Sequence, residues 1–497
     1  MMLSFLVLCG CEKKETVKEE ASKIPELHLH IDGGKEAIDA MHNSEDHSVE
    51  CTGSFDLIVP DAYDIEQDDL RDVKLSYIRG RGNSTWLADK KPYKIKLEEG
   101  EDLFGMGKNK HYVLLANAYD RTFIRNRLVS YLSEKMGMEY TMQGVNIDLY
   151  MNDEYLGNYY LSEQVRFGTG RIELEEMDEE EKELPKIEGP YLLSTSPWAE
   201  QDQEDIFKTN REVSFLNDTP SFGKEGYEND AQKNYIRDFI QKAEDAIFEG
   251  KGIENCIDLE SAADYWLIQE FTQNEDAFKT PSTYIYKKDV EEDGTRGKLH
   301  FGPLWDFDRS LGNSVFSIPE PSYFNHVRWE WIDELRDRED FKELLIQRWT
   351  LLDRILEEVT KKDGLLDKYK NENEMSYDRD LEKWKSFYEE NGMDTSKSYA
   401  DEIEELRTFI DERRKWINEN IKDIGKILVK ITIKSGLEED RIVKMRISSF
   451  ISDHLKASEI DGYCFEGFFL EDGTALDENA IAREDMIIYA KYRKIED

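Results

Sequence analysis

The chain has 497 residues, with 109 Asp and Glu against 66 Lys and Arg, giving a formal net charge of −43. Acidity on that scale opposes non-specific nucleic-acid binding, which needs positive surface to neutralise phosphates, and favours attraction of cations or basic partners. Hydrophobic residues at 39% and aromatics at 11% exclude a globally disordered chain, and the length calls for two or three domains.

Residues 1–8 are an apolar run ending in Leu8-Cys9-Gly10-Cys11, followed by a polar stretch. The run is too short for a bilayer-crossing helix, which needs ~20 residues. It reads as a signal segment over residues 1–11 that ends in a lipobox, with Cys11 as the lipidated residue. Residues 12–25 then form a tether, and the protein is expected outside the cytoplasm as a lipoprotein held at the cell-surface membrane. Cys51, Cys256 and Cys464 are far apart and show no CxxC spacing, so neither a zinc site nor a disulfide framework is indicated. A single disulfide among them is left open.

Strand patterns occupy residues 27–31 and 55–59, the second ended by Pro60. Residues 91–97 alternate, with Tyr93, Ile95 and Leu97 on one face and Lys94 and Lys96 on the other. Residues 123–136 carry a helical stripe, and 145–151 with 155–161 form a hairpin turned at Asn152-Asp153-Glu154. The stretch 197–231 reads as loop. Helices are predicted over 232–248, 259–271 and much of 338–423, with strands at 283–287 and 298–301. A strand-rich first part followed by a helix-rich second part is an α+β pattern with two lobes. The segment 426–497 stands apart as a small β-unit, with alternation at 427–433, a helix-like stretch, then Gly462-Tyr463-Cys464-Phe465-Glu466-Gly467-Phe468.

Three constellations carry chemistry. In Gly302-Pro303-Leu304-Trp305-Asp306-Phe307-Asp308, two carboxylates at i and i+2 of a strand share a side. At ~4 Å they would repel by roughly 4 kcal/mol at an effective dielectric near 20. A divalent cation relieves that repulsion, and oxygen ligands suit Mg²⁺ or Mn²⁺. Solvated surface acids are the plain alternative. Upstream, Asp276 in Gln273-Asn274-Glu275-Asp276 precedes a strand hairpin that leads to Asp306, the order in which a kinase places its catalytic-loop and metal-binding carboxylates. The third is Arg79-Gly80-Arg81-Gly82-Asn83-Ser84-Thr85-Trp86 with Lys90-Lys91-Pro92-Tyr93-Lys94-Ile95-Lys96-Leu97. Its glycines would let backbone N–H groups approach an anion, and its Arg, Ser and Lys add donors and charge. Basic strands making surface ion pairs explain it equally well on its own.

Taken together with Leu115-x-Asn117-x-x-Asp120, Arg125-Asn126 and Tyr155-Leu156-Gly157-x-Tyr159-x-Leu161-x-Glu163-Gln164, these motifs resemble the CotH (spore coat protein H) family of atypical protein kinases, in order from about residue 26 to 315 and onward to about 425. The resemblance implies a two-lobed kinase-like domain over 26–425 that moves the γ-phosphoryl of ATP to serine or threonine of a protein substrate, with Mg²⁺ or Mn²⁺. By position it makes Asp306 the main metal ligand with Asp308 as second, Asp276 catalytic, and Arg79, Arg81, Ser84, Lys94 and Glu163 nucleotide-binding, Lys96 being the alternative to Lys94. It gives Asp120, Arg125 and Asn126 a bracing role. Ser282 stands where many members carry Asn, and its shorter hydroxyl is a poorer metal ligand, so a degenerate scaffold used for surface binding or adhesion is the competing expectation. Residues 426–497 resemble a bacterial cell-surface β-repeat, with Phe468 and Tyr492 where Trp is typical.

Overall fold

The computed structural model describes residues 22–195, 205–223, 227, 229–274, 277–278, 282–290, 296–314, 324, 329–425, 428–446, 451–477, 480, 482 and 485–495. Asp276, Cys9 and Cys11 lie outside them.

Seven strands lie in the first third of the chain: β1 (Glu26–Ile31), β2 (Cys51–Ile58), β3 (Leu70–Gly80), β4 (Tyr93–Glu101), β5 (Asn109–Leu115), β6 (Gly144–Met151) and β7 (Glu154–Glu163). They close into a barrel in the order β1-β2-β3-β4-β5-β7-β6. Alternation drives the closure: Leu27, Leu29, Ile95 and Leu97 are fully buried inside while their neighbours point outward. The β6–β7 hairpin turns on Asn152 and Asp153, both at positive φ (45° and 67°), as a two-residue primed turn demands. Parallel pairing of β1 with β6, Glu26 opposite Asp148, seals the barrel. Two helices lie among these strands, α1 (Gly34–His42) and α2 (Arg125–Met136). α2 buries Leu128, Val129 and Leu132 in a second core.

That second core gathers a five-stranded sheet and most of the helices. The strands are β8 (Tyr191–Thr195), β9 (Ile206–Lys208), β10 (Ser214–Thr219), β11 (Tyr284–Lys287) and β12 (Leu299–Phe301), ordered β12-β11-β8-β10-β9. The helices are α3 (Asp230–Glu249), α4 (Leu259–Thr272), α5 (Glu330–Arg336), α6 (Glu339–Thr360), α7 (Leu365–Glu390) and α8 (Tyr399–Asn420). A four-stranded sheet follows with its own small core: β13 (Leu428–Lys434), β14 (Arg441–Arg446), β15 (Tyr463–Phe469) and β16 (Met486–Lys494). The chain is α+β.

Several expectations change. The expected loop at 197–231 contains β9 and β10, short strands whose polar Ser214, Asn217 and Asp218 hide the alternation, together with the start of α3. The helix-like stretch before Gly462 holds the strand β14, paired with β13. The cysteines Cys51, Cys256 and Cys464 are unbonded, the first two buried. Among the described residues no helix is long and apolar enough to cross a membrane.

Candidate functional site

The basic turn leaves β3 at Gly80 and returns as β4 at Tyr93, so Arg79 and Lys94 sit opposite one another in register. Arg79 is anchored by Nη1 donating to the His47 carbonyl at 3.4 Å and by Glu50 at 3.8 Å. Lys94 is half-buried. Burial first, then the positive charges of Arg79, Arg166 and Arg81, push its amine down to about 8, against a weaker pull from Glu50. His111 on β5 is pushed down to about 3 by burial and then by Arg166, Lys94, Lys96 and Arg171. Cations therefore crowd one outer face of the barrel, in a chain whose net charge is −43. Such crowding is unfavourable unless an anion joins it.

Two of the six basic residues read from the sequence belong elsewhere. Lys90 is fully buried, and its Nζ donates to Asp380 Oδ2 of α7 at 2.5 Å. Lys91 donates to the Trp86 carbonyl at 2.8 Å and lies 4.7 Å from the Trp86 ring centroid. Ser84 is exposed in the short turn of Ser84–Leu87.

Asp306 and Asp308 follow β12 and do not share a strand. Asp306 has φ +70°, a left-handed conformation that Asp tolerates better than most residues, so the two carboxylates are set by a turn and not by strand alternation. Asp306 is exposed, and Ser282 Oγ donates to its Oδ2 at 2.7 Å. Its carbonyl accepts from Asn274 Nδ2 at 3.2 Å. Arg81 reaches this turn from the barrel: its guanidinium lies 5.9 Å from the Trp305 ring centroid. Burial pulls the Arg81 pKa down, and Asp306, Tyr284 and Asp308 act in the opposite sense. Among the sequence candidates, the structure thus brings Arg81 together with Asp306 and Asp308.

The turn is held from behind. Asn126 Oδ1 accepts from Phe307 N at 2.8 Å, and Arg125 Nε donates to the Ser310 carbonyl at 2.9 Å. Asp120 fixes Arg125 by accepting from the backbone of Thr122 and Arg125, each at 3.0 Å, and by pairing with the Arg125 guanidinium. A carboxylate at the start of α2 also suits the helix dipole.

Glu163, at the end of β7, is fully buried. Its Oε2 accepts from Gln143 N at 2.7 Å, whereas Oε1 has no hydrogen-bond partner. Burial pushes the carboxyl up to about 8, against Gln143 and the nearby Arg171. Arg166, Arg171 and His111 escaped the sequence reading. The two arginines border a very acidic run, and only the pairing of β5 with β7 carries the chain to the β4 face.

A divalent cation fits this turn in the manner of Mg²⁺, which takes one or two carboxylates and completes its shell with phosphate and water oxygens. Among the described residues, no group of three or more His, Cys, Asp or Glu is arranged to hold a metal by itself.

No curated protein matches the chain. The family described as CotH kinase protein matches residues 78–417, from the basic β3–β4 turn through the Asp306 turn into α8. With well over half of its length matched, the chain belongs to the CotH kinase family.

Proposed function

We propose that the chain is a two-lobed, kinase-like phosphotransferase that uses ATP with Mg²⁺ or Mn²⁺ to phosphorylate serine or threonine hydroxyls of a protein substrate. One observation carries the reading: Arg81, at the end of the basic barrel face, lies over Trp305 in the turn bearing Asp306 and Asp308 and within reach of their charge. A polyphosphate laid along Arg79, Lys94 and Arg81 would end at those carboxylates. Kinase catalysis is mostly positioning and charge stabilisation, and these residues supply both. When bound, the cation neutralises phosphate charge between ATP and the Asp306 turn. Arg81 and Lys94 hold the phosphates, and Asp276 orients the acceptor hydroxyl. The hydroxyl oxygen bonds to the γ-phosphorus as the bond to the ADP oxygen breaks, and the hydroxyl proton passes to the Asp276 carboxylate. Cys11 would anchor the chain, through residues 12–25, to the outer face of a membrane.

The test is transfer of label from γ-labelled ATP with Mn²⁺ to protein. Asp306→Ala is expected to lower incorporation by about 100-fold or more, since even residues that merely support a metal ligand are worth 10–100-fold, and Asp276→Ala is expected to follow it. Equal label in wild type and both variants would defeat the assignment. Cys11→Ala should move the protein from the membrane to the soluble fraction, and unchanged retention would remove the anchor.

A second reading is a binding or adhesion protein on a kinase-like scaffold. It is favoured by the Ser282 hydroxyl, which already occupies Asp306 Oδ2. Absence of both label and any thermal shift with ATP and Mn²⁺ would select it.

A further inference from the structure

A cavity of about 490 Å³ is lined by Arg309, Gly312 and Asn313, just after the Asp306 turn in the chain, and bordered by the α7–α8 loop and α8. Its most unusual wall is Arg121. Only 6% of this residue is exposed, and its guanidinium is packed between the rings of Tyr377 and Tyr388, 4.9 and 4.7 Å from their centroids. One nitrogen donates to the Tyr377 hydroxyl. Nε and Nη1 are buried and have no hydrogen-bond partner. The Glu402 carboxylate forms an ion pair with Nη2 at 3.7 Å, longer than a hydrogen bond, and leaves Nε and Nη1 unbonded. Leaving buried guanidinium donors unsatisfied is costly, so Nε and Nη1 held this way imply a partner that comes and goes.

The other charges around the cavity do not supply one. Arg309 lies over the Tyr119 ring at 4.1 Å and adds a second cation. Lys397 is taken by Glu405 at 2.7 Å, Arg125 by Asp120, and Asp394 accepts from Ser396 N and Oγ. Glu405 and Asp394 are thus engaged and Glu402 faces Nη2, while Nε and Nη1 of Arg121 remain.

We propose that this cavity is a second anion site, separate from the basic barrel face, that takes a phosphate group, free or as a monoester, through Arg121 and Arg309. Two planar guanidinium groups suit a tetrahedral oxyanion better than ammonium groups do, because each offers paired donors in a fixed fork. The volume leaves room for what a monoester carries. The site also touches the turn that bears Asp308, because Asn313, on the cavity wall, donates Nδ2 to the carbonyls of Asp308 and Tyr119 at 2.6 and 2.8 Å. Occupancy would therefore stiffen that turn without contacting the candidate site directly.

The test is calorimetric titration of the full chain with inorganic phosphate and with O-phosphoserine, run in a Lys94→Ala background so that the barrel face is disabled. Saturable binding is expected to persist there, to raise the thermal midpoint, and to weaken at least tenfold on adding Arg309→Ala. Arg121→Gln should match that loss. If it fails to fold, Arg309→Ala decides, since that side chain can be removed without opening the tyrosine sandwich. Equal affinity for the two ligands marks a free-oxyanion site and tighter O-phosphoserine binding a monoester site. A flat titration in the Lys94→Ala background, or binding that Arg309→Ala leaves unchanged, overturns the proposal.

Discussion

Single side chains in this protein are governed more by burial than by charge pairing. Glu163 shows it most clearly: its carboxyl has an ordinary value of 4.5 and is pushed up to about 8. The folded protein therefore holds that proton between those two values while the unfolded chain has released it. Stability contributed by this group is full below pH 4.5 and is lost as pH rises towards 8. Thermal midpoints measured from pH 5 to 9 should fall more steeply in the wild type than in Glu163→Gln, which keeps the shape of the neutral acid. Parallel profiles would show that Glu163 is ionised in the fold. Nothing in the local sequence Leu161-Ser162-Glu163-Gln164 announces this, because the burial comes from Gln143 and the β5 neighbour. The Asp306 turn is the opposite case. Its two carboxylates are legible as a motif, and only their conformation, left-handed at Asp306, had to come from the structure.

Between elements, a fully buried ion pair joins the barrel to α7. Asp380 Oδ2 receives Lys90 Nζ at 2.5 Å and the Asn158 backbone N–H at 2.8 Å, and its Oδ1 receives the Tyr388 hydroxyl at 2.6 Å. Gly157 makes room for it: a Cβ there would sit 2.3 Å from Asp380 Oδ2, and its φ of +118° already disfavours other residues. Removing one partner of a buried pair costs about 3–5 kcal/mol. Lys90→Met should show that loss in urea unfolding, and Lys90→Met with Asp380→Asn should lose less than the sum of the single changes. Additive losses would mean that the pair is not coupled. The strands around this tie were readable where alternation is clean, as in β1, β4 and the β6–β7 hairpin. β5 and β8 were missed, because residues buried on both faces of a strand lose the period of two; all five residues of β8 are buried. Lys90 was read as part of the anion-binding basic cluster for a related reason. Its partner is 290 residues away, and no local pattern records it.

Across the whole molecule, the larger cores among the described residues lie in the barrel, in the helix-and-sheet body and in the terminal four-stranded unit, with a small cluster around Met142, Phe167 and Ile172 beside them. The family match ends at residue 417, before that last unit begins. Residues 22–425 should therefore unfold in a single cooperative transition and keep the response to ATP and Mn²⁺ of the full chain. Loss of that response on truncation would show that the terminal unit completes the site. The order of strands then helices was enough to place the chain as α+β. Closure of the barrel was not, because it depends on a strand pairing with one far along the chain.

That closure has a consequence during synthesis. β1 is made before its parallel neighbour β6, which lies roughly 120 residues downstream, about 6–24 s later at typical elongation rates. Until then one flank of β1 is an unpaired strand edge carrying Leu27, Leu29 and Ile31, open to mispairing with other nascent chains. A helper that shields this edge while the ribosome advances would raise the yield of correctly closed barrels, whatever the finished protein goes on to do.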